Sequence, residues 1–195
     1  DQMPPGWKII DSVLTFKTEQ ILEQDYDYKG NRDIMYGEEE FENFELYLEW
    51  KIPKGGNSGI YYHIKEGYGG FADMAPEYQL LDDENYAEIH DYELKDWQLT
   101  AADYAMHVPD TTQKVLYPPG QWNSSRIIFT SNNVEHWLND KKVLSFIPWT
   151  EQWYEKRNSG KWDNFPDYGK YKKGYIGLQD HGSNLWFRNI KIKKL

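Results

Sequence analysis

The 195-residue chain carries 32 acidic and 22 basic side chains, a formal net charge of -10, which is the wrong sign for a phosphate-binding surface and argues against a nucleic-acid partner. It has no cysteine, so disulfides and thiolate metal sites are excluded, and no apolar run is long enough to span a membrane. Aromatic residues make up 17% of the chain, with 9 Trp and 16 Tyr; they fill sandwich cores, and where exposed they are faces on which sugar rings stack.

The length suits one domain over residues 1–195. The start at Asp1, without an initiator methionine, is read as a mature chain whose signal peptide has been removed, so a secreted or periplasmic location is the expectation. Strand signals dominate. Over 44–52, Phe44, Leu46, Leu48, Trp50 and Ile52 alternate with Glu45, Tyr47, Glu49 and Lys51, the pattern of a strand with one buried face. Pro53-Lys54-Gly55-Gly56-Asn57 breaks it, a second strand runs over 58–65, and a third over 76–81 before the acidic stretch Asp82-Asp83-Glu84, read as a solvated loop. Residues 121–130 and 134–138 form a predicted hairpin, and Asn139-Asp140 turns the chain into 141–147. The stretch 151–162 is compatible with a helix that ends at Asn164-Phe165-Pro166. The last strands are 174–180 and 185–192. Many strands, short turns and few helices predict an all-β sandwich of two antiparallel sheets.

Three strands put polar groups on one face. By simple alternation, Asn57, Tyr61 and His63 point together, as do Glu77 and Gln79, and as do Gln179 and His181 opposite Ile176 and Leu178. A concave sheet would gather these groups into one cleft. Burial would raise the pKa of Glu77 and suit it to acid–base work or metal ligation. His63 and His181 are proton carriers or metal ligands by type, and Asn57, Gln79 and Gln179 are partners for sugar hydroxyls. Beside this stands the structural reading, in which Glu77 is a solvated or ion-paired side chain and the histidines are hydrogen-bonded anchors. His136, next to Trp137, reads as surface packing. A two-carboxylate glycosidase would need a partner for Glu77, and Glu88, Glu93, Asp82 and Asp103 are all candidates. No phosphate loop, nucleophile elbow or zinc-binding helix motif is present.

In order along the chain stand Asn57-Ser58-Gly59-Ile60, Pro76-Glu77-Tyr78-Gln79-Leu80-Leu81-Asp82, Trp122-Asn123, His136-Trp137-Leu138-Asn139, Leu178-Gln179-Asp180-His181-Gly182 and Phe187-Arg188-Asn189-Ile190. This set resembles the 3-keto-disaccharide hydrolase domain family, long catalogued as a domain of unknown function, from about Gly6 to Leu195. The resemblance implies a concanavalin A-like jelly roll, secretion, and action on oxidised glycosides. It places the family's polar positions on Asn57, Glu77, Gln79, Asp82, Gln179 and His181. Alternation puts Asp82 on the face opposite Glu77, so its presence in the cleft requires a bend at the strand end. The chain departs from the family in His63, where many members have Arg, and in Ala101-Ala102-Asp103-Tyr104, where many have Gly-Ala-x-Tyr. The implied chemistry is C1 elimination from a sugar oxidised at C3, with Glu77 or His181 as base or acid. Gln79 and Gln179, or a bound divalent metal ion, would stabilise the enolate. The alternative is a non-catalytic carbohydrate-binding module on the same fold.

Overall fold

The computed structural model describes residues 3–195. Eleven strands follow in order among these residues. They are β1 (Trp7–Ile10), β2 (Val13–Phe16), β3 (Ile34–Phe41), β4 (Phe44–Lys51), β5 (Asn57–Ile64) and β6 (Glu77–Leu81), then β7 (Asn123–Thr130), β8 (Asn133–Leu138), β9 (Lys141–Phe146), β10 (Gly174–Leu178) and β11 (Leu185–Lys194). Three short helices connect them: α1 (Glu19–Leu22), α2 (Tyr86–His90) and α3 (Glu151–Arg157). The strands form two antiparallel sheets, in the orders β1-β2-β11-β4-β7-β8-β9 and β3-β10-β5-β6. The expected all-β sandwich is the observed fold.

The core lies between the sheets and follows from period two. On β4, Phe44, Leu46, Leu48 and Trp50 are buried while the alternate positions face outward. They meet Ile60, Tyr78, Leu80, Ile176 and Leu178 of the smaller sheet in one continuous apolar cluster, each such side chain contributing about 1.5–3 kcal/mol by leaving water. The buried indole N–H of Trp50 donates to Ser125 Oγ at 2.8 Å across the β4–β7 pair, so the polar end of the ring is satisfied.

The elements that the sequence pattern does not announce have weak local signals. The β1–β2 hairpin turns on Asp11 and Ser12, both at positive φ, without the glycine that usually marks such a turn. Strand β3 contains Glu38-Glu39-Glu40 and lies on an edge, where charge is tolerated. The helix expected over 151–162 stops at Arg157. It starts under the side chain of Thr150, which caps Trp153 N–H at 3.2 Å, and the chain then turns to bury Trp162 against Tyr168.

Two histidines lie elsewhere than expected. In β5, Tyr61 pairs with Gly177 and Ile64 with Tyr175, so Tyr62 and His63 together oppose Ile176 alone. This is a bulge, with His63 at φ +56°. It interrupts alternation and turns His63 into the core, 1% exposed, with its ring against Phe44 and Phe129. Its Nε2–H donates to Glu42 O at 2.9 Å. His63 therefore does not share the face of Asn57 and Tyr61. His136, expected on the surface, is fully buried because it sits in phase with Val134 and Leu138 on β8; its Nδ1–H donates to Ala101 O at 2.9 Å.

Burial lowers both imidazoles to a pKa of about 4. Each stays neutral in the folded chain while the unfolded chain protonates below about 6.5. Their contribution is complete above that pH and is lost as pH falls through 4. Comparing wild type with His136→Asn by urea denaturation isolates one of them. The wild-type advantage should shrink by up to about 1.4 kcal/mol per pH unit between pH 6 and 4.5; a difference independent of pH would contradict the assignment.

Candidate functional site

The polar groups gather on the outer face of the smaller sheet. In the β5–β6 pair, Asn57 lies opposite Leu81, Gly59 opposite Gln79 and Tyr61 opposite Glu77. Ile60, Tyr78 and Leu80 point into the core, which directs Asn57, Tyr61, Glu77 and Gln79 outward. Gly59 has no side chain, and the Glu77 carboxyl fills the space above it. A Cβ added at Gly59 would stand 2.8 Å from Glu77 Cγ, 2.7 Å from Cδ, and closer still to Oε1. Gln79 Nε2 donates to Asn57 Oδ1 at 3.1 Å.

On the other side of β5, the chain continues past β10. Gln179 N–H donates to Gly59 O at 2.9 Å, and Ser58 Oγ donates to Gln179 O at 2.8 Å. The Gln179 amide then donates to Tyr61 OH at 2.6 Å. His181 follows in a turn held by Asp180. The Asp180 carboxylate accepts from Gly182 N–H, Arg32 N–H and the Tyr28 hydroxyl, and Asp180 N–H donates to Asp33 Oδ1 at 2.8 Å. His181 is open to water at the rim.

Two side chains from distant segments complete the group. Residues 101–104 add to the edge of β6 through Ala101 N–H to Gln79 O, Gln79 N–H to Ala102 O and Tyr104 N–H to Glu77 O, which sets Tyr104 beside Glu77. Lys161, beyond α3, lays its ammonium over the rings of Tyr104 at 4.2 Å and Trp162 at 4.9 Å.

This setting separates two acid–base groups. Burial raises the pKa of Glu77 to about 8, Asp33 and Asp103 add to the rise, and Lys161 opposes it. Burial likewise raises Asp33 to about 6. Desolvation lowers the pKa of His181, the charges of His90 and Lys161 act in the same direction, and its backbone hydrogen bond and Asp180 oppose them. At neutral pH Glu77 keeps its proton and His181 is an unprotonated base. Glu77 Oε1 and Gln179 Oε1 are buried without a protein partner, an arrangement that water or a ligand would satisfy.

Asn57, Glu77, Gln79 and Gln179 thus lie on one face with His181 at its rim, while His63 is in the core. Asp82 is diverted as well. Its Oδ2 accepts Gly55 N–H at 2.8 Å and its Oδ1 accepts Asn85 Nδ2 at 3.0 Å, so the carboxylate holds the 53–56 loop instead of facing the cleft. Of the carboxylates considered as partners for Glu77, Asp103 reaches it electrostatically but is bonded to His107 at 2.8 Å. Asp33, Tyr104 and Lys161 were not singled out from sequence. Among the described residues no group of three or more His, Asp or Glu is arranged to hold a metal ion; Glu77 and Asp33 stand among the amides of Asn57, Gln79 and Gln179 without forming such a set.

The two antiparallel sheets define a jelly-roll protein with a polar face on its smaller sheet. The chain matches the 3-keto-alpha-glucoside-1,2-lyase-like domain family over residues 2–193 and belongs to that family. It is 36% identical over 217 residues to a 3-keto-disaccharide hydrolase of Bacteroides thetaiotaomicron, covering 100% of this chain and 72% of the relative. A crystal structure from Parabacteroides distasonis, provisionally described as a glycosyl hydrolase, is 43% identical with a TM-score of 0.85, covering 97% of this chain and 84% of the other. A carbohydrate-binding module from Bacillus subtilis, at 10% identity and a TM-score of 0.58 over 96% of this chain and 91% of its own, shares the fold alone. The matched family is described as lyase-like, and the relatives that share it are described as hydrolases of a 3-keto-disaccharide or of glycosides.

The contact of Glu77 with Gly59 is open to a double-mutant cycle. Gly59→Ala should cost about 1–3 kcal/mol in wild type through overpacking and far less in a Glu77→Ala background. Equal costs in the two backgrounds would show that the Glu77 side chain does not occupy that space.

Proposed function

We propose that the protein cleaves 3-keto-glycosides by elimination across C1 and C2 followed by addition of water. The observation that carries this reading is Glu77, buried over Gly59 beside Gln79 with its pKa raised, on the face that Gln179 reaches and that the chain leaves at the exposed His181, whose pKa is lowered. A ketone at C3 acidifies the C2 proton, and His181 accepts it. The electron pair forms the enolate, whose oxygen meets the free N–H groups of Gln79 and Gln179. As the enolate collapses, the C1–O bond breaks and Glu77 gives its proton to the leaving oxygen. Water then adds at C1 while a proton returns to C2, so the sum is hydrolysis. Lys161 would stabilise the Glu77 carboxylate left after proton transfer, and Asn57 would hold Gln79 in place through its side-chain hydrogen bond.

Product analysis with plain and 3-oxidised disaccharides, with and without chelator, tests the assignment. Turnover of the oxidised sugar alone is expected, with a bell-shaped kcat/KM profile. The acid limb belongs to His181 and the alkaline limb, near pH 8, to Glu77. Glu77→Gln should lower kcat/KM about 10²- to 10⁴-fold and abolish the alkaline limb. Binding of the oxidised sugar without turnover would favour the carbohydrate-binding-module reading, and full activity in both Glu77→Gln and His181→Ala would overturn the acid and base roles of the two residues.

A further inference from the structure

A groove of about 450 Å³ opens beside the site and shares Lys161 with it. Its walls include Lys95, Trp97, Met106, Lys156 and Ser159. Three lysines therefore line one groove in a chain of net charge -10, and no carboxylate is among the described residues that line it. The groove of about 350 Å³ on the Asp33 side differs, because Asp33 and Glu66 line it together with its single lysine, Lys65. None of the ion pairs among the described residues ends on Lys95, Lys156 or Lys161. The groove also has an aromatic wall. Trp97 is half-buried, its ring set edge-on to Tyr104 at 5.3 Å, and the Lys95 ammonium lies 5.6 Å from its centroid. An indole face with a cation beside it suits a sugar ring bearing a negative group.

We infer that this groove is a subsite for an anionic sugar unit, with a carboxylate or sulfate held by Lys95 and Lys156 and the ring against Trp97. Resting on the proposed function, the unit would be the one joined to the 3-keto sugar through the scissile bond. A concave, basic pocket in an otherwise acidic surface focuses its field on an incoming anion, while the neutral 3-keto ring occupies the amide-lined face over Gly59.

The test is binding of D-glucuronate, glucose 6-sulfate and glucose to the full chain, followed through the indole N–H resonances in NMR, with that of Trp97 assigned by Trp97→Phe. At least one anionic sugar should bind ten-fold or more tightly than glucose, shift the Trp97 resonance and weaken in 0.5 M NaCl. The tighter of the two identifies the group as carboxylate or sulfate. Lys95→Gln/Lys156→Gln should erase the preference while leaving turnover of a neutral 3-keto-disaccharide unchanged. Equal affinity for glucose and both anionic sugars, or a preference that survives the double substitution, would overturn the subsite. Absence of any turnover of 3-keto-sugars would instead count against the proposed reaction, because the binding measurement does not depend on catalysis.

Discussion

The site depends on a carboxyl group folded over a glycine. The register of β5 against β6 sets Gly59 two pairs along from Tyr61 and Glu77, on the same face, and the missing side chain leaves room for Glu77 to lie flat against the sheet. Burial there raises its pKa to about 8. Between pH 4.5 and 8 the folded chain keeps a proton that the unfolded chain releases. The contribution of Glu77 to stability is therefore fully present below 4.5 and lost as pH rises through 8. The rest of the fold sustains that cost through the apolar inner face of the same strands, where Ile60, Tyr78 and Leu80 join the core.

Around this carboxyl, the chain brings in groups by backbone pairing. Gln179 reaches the face because its N–H continues the ladder to Gly59 O past the end of β10. Tyr104 reaches it because 101–104 pairs with the edge of β6. His181 is placed by the Asp180 turn, whose carboxylate ties the 28–32 loop to the rim. Positions fixed by hydrogen-bonded backbone are better defined than positions on free loops. Lys161 differs, because it arrives on an irregular segment and is steered by the faces of Tyr104 and Trp162.

The sandwich is legible because β4, β7 and β8 carry clear alternation, and because Glu77 with Gln79 and Ile176 with Leu178 obey it. His63 was misread because a bulge has no mark in the local pattern; its left-handed backbone is imposed by pairing with β10. Alternation admits Asp82 to the cleft only through a bend at the strand end; its two oxygens instead accept from Gly55 and Asn85, an arrangement that depends on a loop conformation composition does not specify. The neighbouring Trp137 suggests a surface place for His136, but the inward phase of Val134 and Leu138 on β8 carries it into the core. Asp33, Tyr104 and Lys161 come from segments far from Glu77 in sequence, with no periodicity connecting them to it. Tyr104 stood within the Ala101–Tyr104 stretch that departs from the family pattern, and its edge pairing beside Glu77 required the fold.

The sheet holds Glu77 in its protonated form at neutral pH, and the proposed chemistry rests on that proton. The direct test is the titration of the Glu77 side-chain carboxyl by 13C NMR in the intact protein, assigned with Glu77→Gln. A midpoint near 8 is expected, and a midpoint near the ordinary glutamate value of about 4.3 would contradict it.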